Sequence, residues 1–400
     1  MKSKHILFAV VFAAYCCHSP QNSGPVSVNQ DGVYTVSLEG LKPVRKIIPL
    51  SMLVDDCILV PLESSEEAYV KPMITTITEK YIGIAQGHKD ADGTFKLFGR
   101  SGKFLCTLDS IDANTLIYDV IIDDKNELIY LAHWFGDNIS VYDTSGQFVK
   151  DIDAPQILCQ PVMFLSDDIL TIVHTPVDHP SPIYSGHNVA EAMVFQFDVN
   201  TGELLKKLAP PAHLIVEYPG DGFIYTVRNT PGKIYAHLYY HARKGGDYRD
   251  SLFHFDMQKD KILPVFTMTY NITDLPIDPM YSLSRKPHFY HLNKDLIMTE
   301  LGEKGLVATY LSSQTSSWVR ILNDYFGNLP VPIYRPNFSN GYFVHNMKPE
   351  DLIKEIKTRL SEKSCTEDDR KKLNEMLSTL KEGDNNVVFI GKLKSEIKLW

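Results

Sequence analysis

Histidine is the residue type here best suited to chemistry, serving as metal ligand, proton carrier or hydrogen-bond partner, and the 400-residue chain has 14 of them. His237 and His241, in AHLYYHARKG, stand four apart. On a helix that spacing would let both reach one metal. The flanking tyrosines and the following Lys-Gly-Gly read instead as strand and turn, which separates the two by ~13 Å. His174, His179 and His187 lie in the proline-rich stretch TPVDHPSPIYSGH, where no acidic or cysteine ligand completes a set. Asp90-Ala91-Asp92-Gly93 opens like a calcium loop, but Thr94 and Phe95 follow where further oxygen ligands are needed, so it reads as a tight turn. Neither a metal nor a cofactor is expected. Cys57, Cys106, Cys159 and Cys365 are spread so widely that no local C-x-x-C pair forms. An oxidising compartment would allow three pairings among them, while the apolar runs around Cys57 and Cys106 favour buried free thiols. The chain has no Walker loop, H-E-x-x-H, G-x-S-x-G or sialidase box. Asp137, Asp178, Asp221 and Glu300 are available for acid–base work, without a spacing that marks a pair.

The elements that must position such residues repeat along the chain. Phe95–Leu108, FKLFGRSGKFLCTL, returns as ISVYDTSGQFVKDI at Ile139–Ile152, an offset of 44 that superposes Ser101-Gly102 on Ser145-Gly146. The unit recurs as VFQFDVNTGELLKKL (Val194–Leu208) and LFHFDMQKDKILPVF (Leu252–Phe266), and in degenerate form as ATYLSSQTSSWVRIL (Ala308–Leu322). Each copy is two alternating strands around a polar turn, a hairpin signature. Asp143, Asp198 and Asp256 open the turns, where a short carboxylate accepts backbone N–H groups. An apolar strand precedes each hairpin, at Tyr81–Ala85, Leu128–Ala132, Ile169–Val173, Phe223–Val227 and Leu296–Thr299, with a sixth at Tyr342–His345. These six are expected to be the inner strands of six four-stranded blades.

The pattern changes at residues 349–383. Pro349-Glu350-Asp351 opens a helix with the apolar stripe Leu352, Ile353, Ile356 and Leu360. Thr366 and Asp369 form a capping box for a second helix, stopped by Gly383. The last strand, NVVFIGKL from Asn386, then returns to an N-terminal strand, either Tyr34–Leu38 or Cys57–Leu62, to close a ring without free edges. The expected class is all-β: a six-bladed β-propeller over residues 33–400, with a helical hairpin inserted before the closing strand.

The first residues read as an export signal. Lys2 and Lys4 precede an apolar run from Ile6 to Tyr15, and Cys16-Cys17 follows. The run is shorter than the ~20 residues of a membrane-spanning helix. A cysteine at that place is the site of lipid attachment in lipoproteins, so residues 1–17 are read as the signal, Cys16 or Cys17 as the acylated residue and residues 18–32 as a tether. Simple secretion to the periplasm by a cleaved signal is the alternative. The net charge of −9 has no basic block within it, so nucleic acid is not an expected partner and the membrane is reached through the anchor.

As a set, DDCILVPLESS (Asp55–Ser65), FGRSGKFL (Phe98–Leu105), VYDTSGQFVKDI (Val141–Ile152) and the helix pair before DNNVVFIGKLK (Asp384–Lys394) resemble the six-bladed β-propeller lipoproteins of Gram-negative gut anaerobes. The resemblance runs from about Val44 to Lys394, and it implies an outer-membrane anchor facing the periplasm or the cell surface. One segment departs: LDSIDANTLIYDV (Leu108–Val120) stands where those relatives carry a G-x-G-P-G-E-Y stretch. The family brings no catalytic residues to carry across. In a propeller, loops leaving the inner strands build the ligand mouth. His133, Trp134, His174, Arg228, His288 and His345 occupy such positions and are the candidate ligand-binding residues, suited to stacking and hydrogen bonding of a polar ligand; the other reading is that they fill the channel structurally. The expected function is a non-catalytic envelope module recognising a glycan, peptide or protein partner. The rival is a carbohydrate-active lyase or glycoside hydrolase on the same scaffold.

Overall fold

The computed structural model of the protein describes residues 26–42, 45–86, 95–108, 116–178, 191–216, 222–240, 249–270, 277–278, 283–284, 287–332 and 338–397. The leader with Cys16 and Cys17, the Asp90–Gly93 turn, His179, His187, Asp221 and His241 lie outside them.

Six antiparallel sheets follow one another around a ring. Blade 1 comprises Pro72–Ile77, Tyr81–Gln86, Phe95–Gly99 and Phe104–Thr107; blade 2 comprises Ile117–Asp123, Leu128–His133, Gly136–Asp143 and Phe148–Leu158. Blade 3 runs from Val162–Ser166 through Ile169–Val173 and Val194–Asp198 to Leu204–Leu208, and blade 4 from Gly222–Thr226 through Tyr235–Tyr240 and Arg249–Asp256 to Lys261–Thr269. Blade 5 has His288–His291, Leu296–Glu300, Leu306–Tyr310 and Thr315–Asn323. Blade 6 takes Phe338–Ser339, Tyr342–Met347 and Val387–Lys392 from the C-terminal part and Ile58–Pro61 from the N-terminal part. Val387–Ile390 pairs antiparallel with Ile58–Pro61, so the ring closes through the second of the two expected partners. Gly102 holds that closure. Its φ is +85°, and a Cβ there would collide with the Pro61 carbonyl.

First strands of neighbouring blades touch one another, so they line the channel. This corrects the strand assignment read from sequence. Of the six segments expected to be innermost, only Phe223–Val227 matches a first strand; the other five are second strands. Second strands such as LIYLAH have neighbours on both edges and both faces, so they are continuously apolar and conspicuous. First strands such as PMITTI, IYDVIID and HFYH face a polar channel and carry Thr, Asp and His among their apolar residues. The turn aspartates behave as their position predicts. Asp143 accepts from the amides of Ser145 and Gln147, Asp198 from those of Asn200 and Thr201, and Asp256 from those of Gln258 and Lys259.

An N-terminal arm wraps the outside. Tyr34–Ser37 adds in parallel to the outer strand of blade 4 and Lys46–Pro49 to that of blade 5, before Ile58–Pro61 completes blade 6. The three strands start 12 residues apart and share a pattern, YTVSL, KIIPL and ILVPL. Val36, Ile48 and Val60 are buried in register, as are Leu38, Leu50 and Leu62. Sequence reading missed this short repeat, because five residues per copy give too weak a periodic signal.

Antiparallel order puts the first-to-second and third-to-fourth turns on one face and the longer connections on the other; these are the turn face and the loop face. On the loop face, α1 (Pro349–Ser361) and α2 (Glu367–Thr379) leave the second strand of blade 6 and return to its third. The Thr366–Asp369 capping box is formed. Leu352, Ile356, Leu373 and Met376 are buried in one cluster with Leu329, Val331 and Phe389 of blades 5 and 6. Arg359 locks the hairpin, pairing with Asp369 at 3.0 Å and donating through Nε to the Gly327 carbonyl at 3.1 Å. The inserted helices therefore form a fixed wall on the propeller.

Candidate functional site

The structure distributes the six candidate residues over five blades. Arg228 follows the first strand of blade 4 on the turn face, and it plugs the channel. Its guanidinium grips both oxygens of Asp119 on blade 2, at 2.7 and 3.1 Å, and donates to the Met163 carbonyl of blade 3 and the Val120 carbonyl. Nε reaches Asn340 of blade 6, whose amide donates to Thr76 Oγ1 of blade 1. The next residue, Asn229, donates to the carbonyls of His291 and Phe338, which adds blade 5. One short turn thus ties together all six blades. Asp119, Asn229 and Asn340 were missed from sequence because their partners lie on other blades, from 44 to 264 positions away.

His174 has no exposed surface. Its Nε2 lies 2.7 Å from the Ala192 carbonyl and 3.0 Å from Gln156 Nε2, and its ring stacks on Phe195. Burial pushes its pKa down to about 4. His133 ends the second strand of blade 2 and is buried, which lowers its pKa. The adjacent Trp134 stacks on Phe135 and meets Tyr118 edge-on. His288 opens the first strand of blade 5 against Tyr225 and His237 of blade 4. Of the carboxylates considered for catalysis, Glu300 is buried and accepts from the Tyr290 hydroxyl, while Asp137 is exposed on blade 2 and Asp178 is exposed after the second strand of blade 3.

His345 is the candidate that lines an open hollow. This cavity of ≈ 620 Å³ lies on the loop face, where α1 overhangs the second strand of blade 6 and the start of blade 1. Pro72, Met73, Pro330 and Pro332 give it apolar walls, and α1 contributes Asp351, Lys354, Glu355 and Thr358. His345 stacks on Phe389, and burial pushes its pKa down to about 4, so it is a neutral imidazole at ordinary pH. Burial and the neighbouring Asp351 carboxylate raise the pKa of Glu355. Arg359 also borders the hollow, but its donors are engaged by Asp369, Glu362, Ser364 and Gly327. Asn346 is tied to Thr75 and Asn386. The sequence reading marked only the opening and the apolar stripe of α1 and passed over its other polar residues. A second hollow of ≈ 1070 Å³ lies across the N-terminus of α1, between Tyr69, Leu105 and Asp384. Among the described residues no group of three or more His, Cys, Asp or Glu is placed to hold a metal ion.

Six sheets around a plugged channel, closed by strands from both ends of the chain, define a six-bladed β-propeller with a helical wall on one face. The chain matches, over residues 33–392, a family described as a domain of unknown function (DUF4934), and it belongs to that family. No curated protein matches it. Among solved structures, a Bacteroides fragilis protein named for its expected export superposes with a TM-score of 0.54 at 14% identity, covering 87% of this chain and 100% of that one. The extracellular domain of a protein named as a one-component system from B. thetaiotaomicron reaches 0.36 at 14% identity, over 65% of this chain and 29% of that one. The periplasmic gluconolactonase of Pseudomonas aeruginosa also reaches 0.36, at 9% identity, over 63% of this chain and 69% of that one. Likenesses at such identities concern the fold alone.

Proposed function

We propose that the protein is an exported binding module of the cell envelope that recognises a peptide or protein partner at the hollow beside α1 and leaves it chemically unchanged. The lining of the hollow carries this reading. Sugar recognition draws on the broad faces of Trp, Tyr and Phe, and none of these three is among the described residues lining this cavity. Proline and methionine walls beside polar helix residues suit an extended peptide, with apolar contacts for its side chains and hydrogen-bonding groups for its backbone. Arg228 and its partners fill the channel, and the hollow beside α1 opens on the loop face. Export and an outer-membrane lipid anchor rest on Lys2, Lys4, the apolar Ile6–Tyr15 run and Cys16-Cys17. The test is a parallel screen of peptide and glycan arrays with the domain lacking its leader, wild type and Met73→Asn, with turnover followed in the same wells. Peptide ligands should appear without turnover and weaken about tenfold in the variant, the worth of a buried methionine contact. Glycan ligands indifferent to Met73, or a ligand consumed in the wells, would overturn the proposal.

A further inference from the structure

Resting on the reading of the hollow as a binding site, we propose that its occupant is an extended peptide segment carrying a lysine or arginine, whose cation is received between Asp351 and Glu355. The two carboxylates stand four residues apart on α1, which puts them on one helix face, and both line the hollow. Among the described residues neither has an ion-pair partner. The nearest guanidinium, Arg359, is held between Asp369 and Glu362. Lys354 is exposed and pairs with neither carboxylate. Like charges at this spacing destabilise a helix, and here one of them, Glu355, is also half-buried. A bound cation relieves both the repulsion and the burial of charge.

A second observation points to a ligand at the same place. His345 makes no hydrogen bond among the described residues, and its ring is stacked on Phe389 at the edge of the same hollow. A neutral imidazole has one donor and one acceptor, which matches a peptide group laid along the blade 6 strand. Met73, 45% exposed, and the prolines then cover the aliphatic stem that leads to the cation. A neutral sugar would leave the carboxylate pair uncompensated, and an anionic ligand would add to its repulsion.

The experiment uses a positional-scanning library of acetylated, amidated hexapeptides against the wild-type domain, Glu355→Gln, Asp351→Asn and the double variant, with Met73→Asn as a separate probe of the hollow. Lys or Arg should be enriched at one position in the wild type. A fluorescent peptide built from that consensus should bind the wild type at least tenfold more tightly than its norleucine analogue, and the gap should close in the double variant while the norleucine peptide binds the wild type and the three carboxylate variants alike. Absence of basic enrichment, no binding by any pool, or a lysine preference kept in the double variant would overturn the cation proposal. Sensitivity to Met73→Asn without charge preference removes only the cation. Binding indifferent to Met73→Asn removes the hollow itself.

Discussion

At the scale of single residues, Arg228 does more than any other side chain to hold the ring. It and Asp119 are 17% and 11% exposed, so the pair is screened little by solvent. Removing one partner of such a pair strands the other charge, whereas removing both is far milder. Arg228→Met should therefore lose on the order of 3 kcal/mol in urea denaturation, and Arg228→Met/Asp119→Asn should recover much of it. A single variant within ~0.5 kcal/mol of wild type, the range of ordinary surface changes, would show that the plug is not holding the blades. His174 gives a second prediction. It is neutral in the folded protein with a pKa of about 4, against ~6.5 in the unfolded chain. Between those values the unfolded chain binds the extra proton. Its contribution is complete above pH 6.5 and is lost as the pH falls toward 4, with a slope of at most ~1.4 kcal/mol per pH unit. His174→Gln retains a donor for the Ala192 carbonyl and should flatten the acid limb of a stability–pH curve by about one proton's worth. An unchanged slope would falsify the assignment.

At the scale of elements, the blades are stapled to one another by a residue at a constant place in the outer strand. The third residue of that strand is Cys106 in blade 1, Lys150 in blade 2 and Lys206 in blade 3. Lys150 donates to the Val199 and Asn200 carbonyls of the next blade's turn, Lys206 to the Met257 carbonyl, and the Cys106 thiol approaches the Thr144 carbonyl at 3.6 Å. Charged donors satisfy carbonyls that the turns would otherwise leave to water. In blade 4 the third residue is Leu263, which has no side-chain donor to offer, and that edge is covered by the N-terminal arm. Lys150→Met and Lys206→Met should each cost about 1–2 kcal/mol. Acting on different seams, they should add in the double variant. Clear non-additivity in urea denaturation would mean that the seams are not independent.

At the scale of the whole molecule, the ring depends on a strand borrowed from the other end of the chain. Ile58–Pro61 supplies the outer strand of blade 6, whereas Tyr34–Ser37 only adds to a blade 4 that already has four strands. The two deletions should therefore behave differently. A protein lacking residues 1–42 keeps a closed ring and should melt cooperatively, several degrees lower for the loss of Val36, Leu38 and Leu41 from the core. A protein lacking residues 1–62 leaves the third strand of blade 6 with a bare apolar edge and should aggregate or lose its cooperative transition. Thermal melting with size-exclusion chromatography separates the cases; equal behaviour of the two would sink the closure argument. The same closure explains why the helical hairpin is tolerated. It is inserted between two strands of the blade that the ring closure ties down, and its apolar stripe is absorbed by blades 5 and 6.

What the sequence determined by itself was whatever is written in local periodicity. The hairpins with their Asp and Gly turns, the apolar second strands, the helix pair with its capping box and the returning C-terminal strand all rest on residues a few positions apart. Their number and order give the propeller, because no blade can bury both faces without neighbours. Tertiary structure alone decided which strands line the channel, since a strand reads as innermost only once its polar face has a channel to meet. It decided that Arg228 is a plug, through a partner 109 positions away. It also set His174 in the interior and His345 in a hollow, although both lie in or just after second strands. For chemistry the histidines drew notice first, being rare and versatile. The carboxylates Asp351 and Glu355 drew none, because acids four apart on a helix are ordinary until an adjoining wall half-buries one of them, here Glu355.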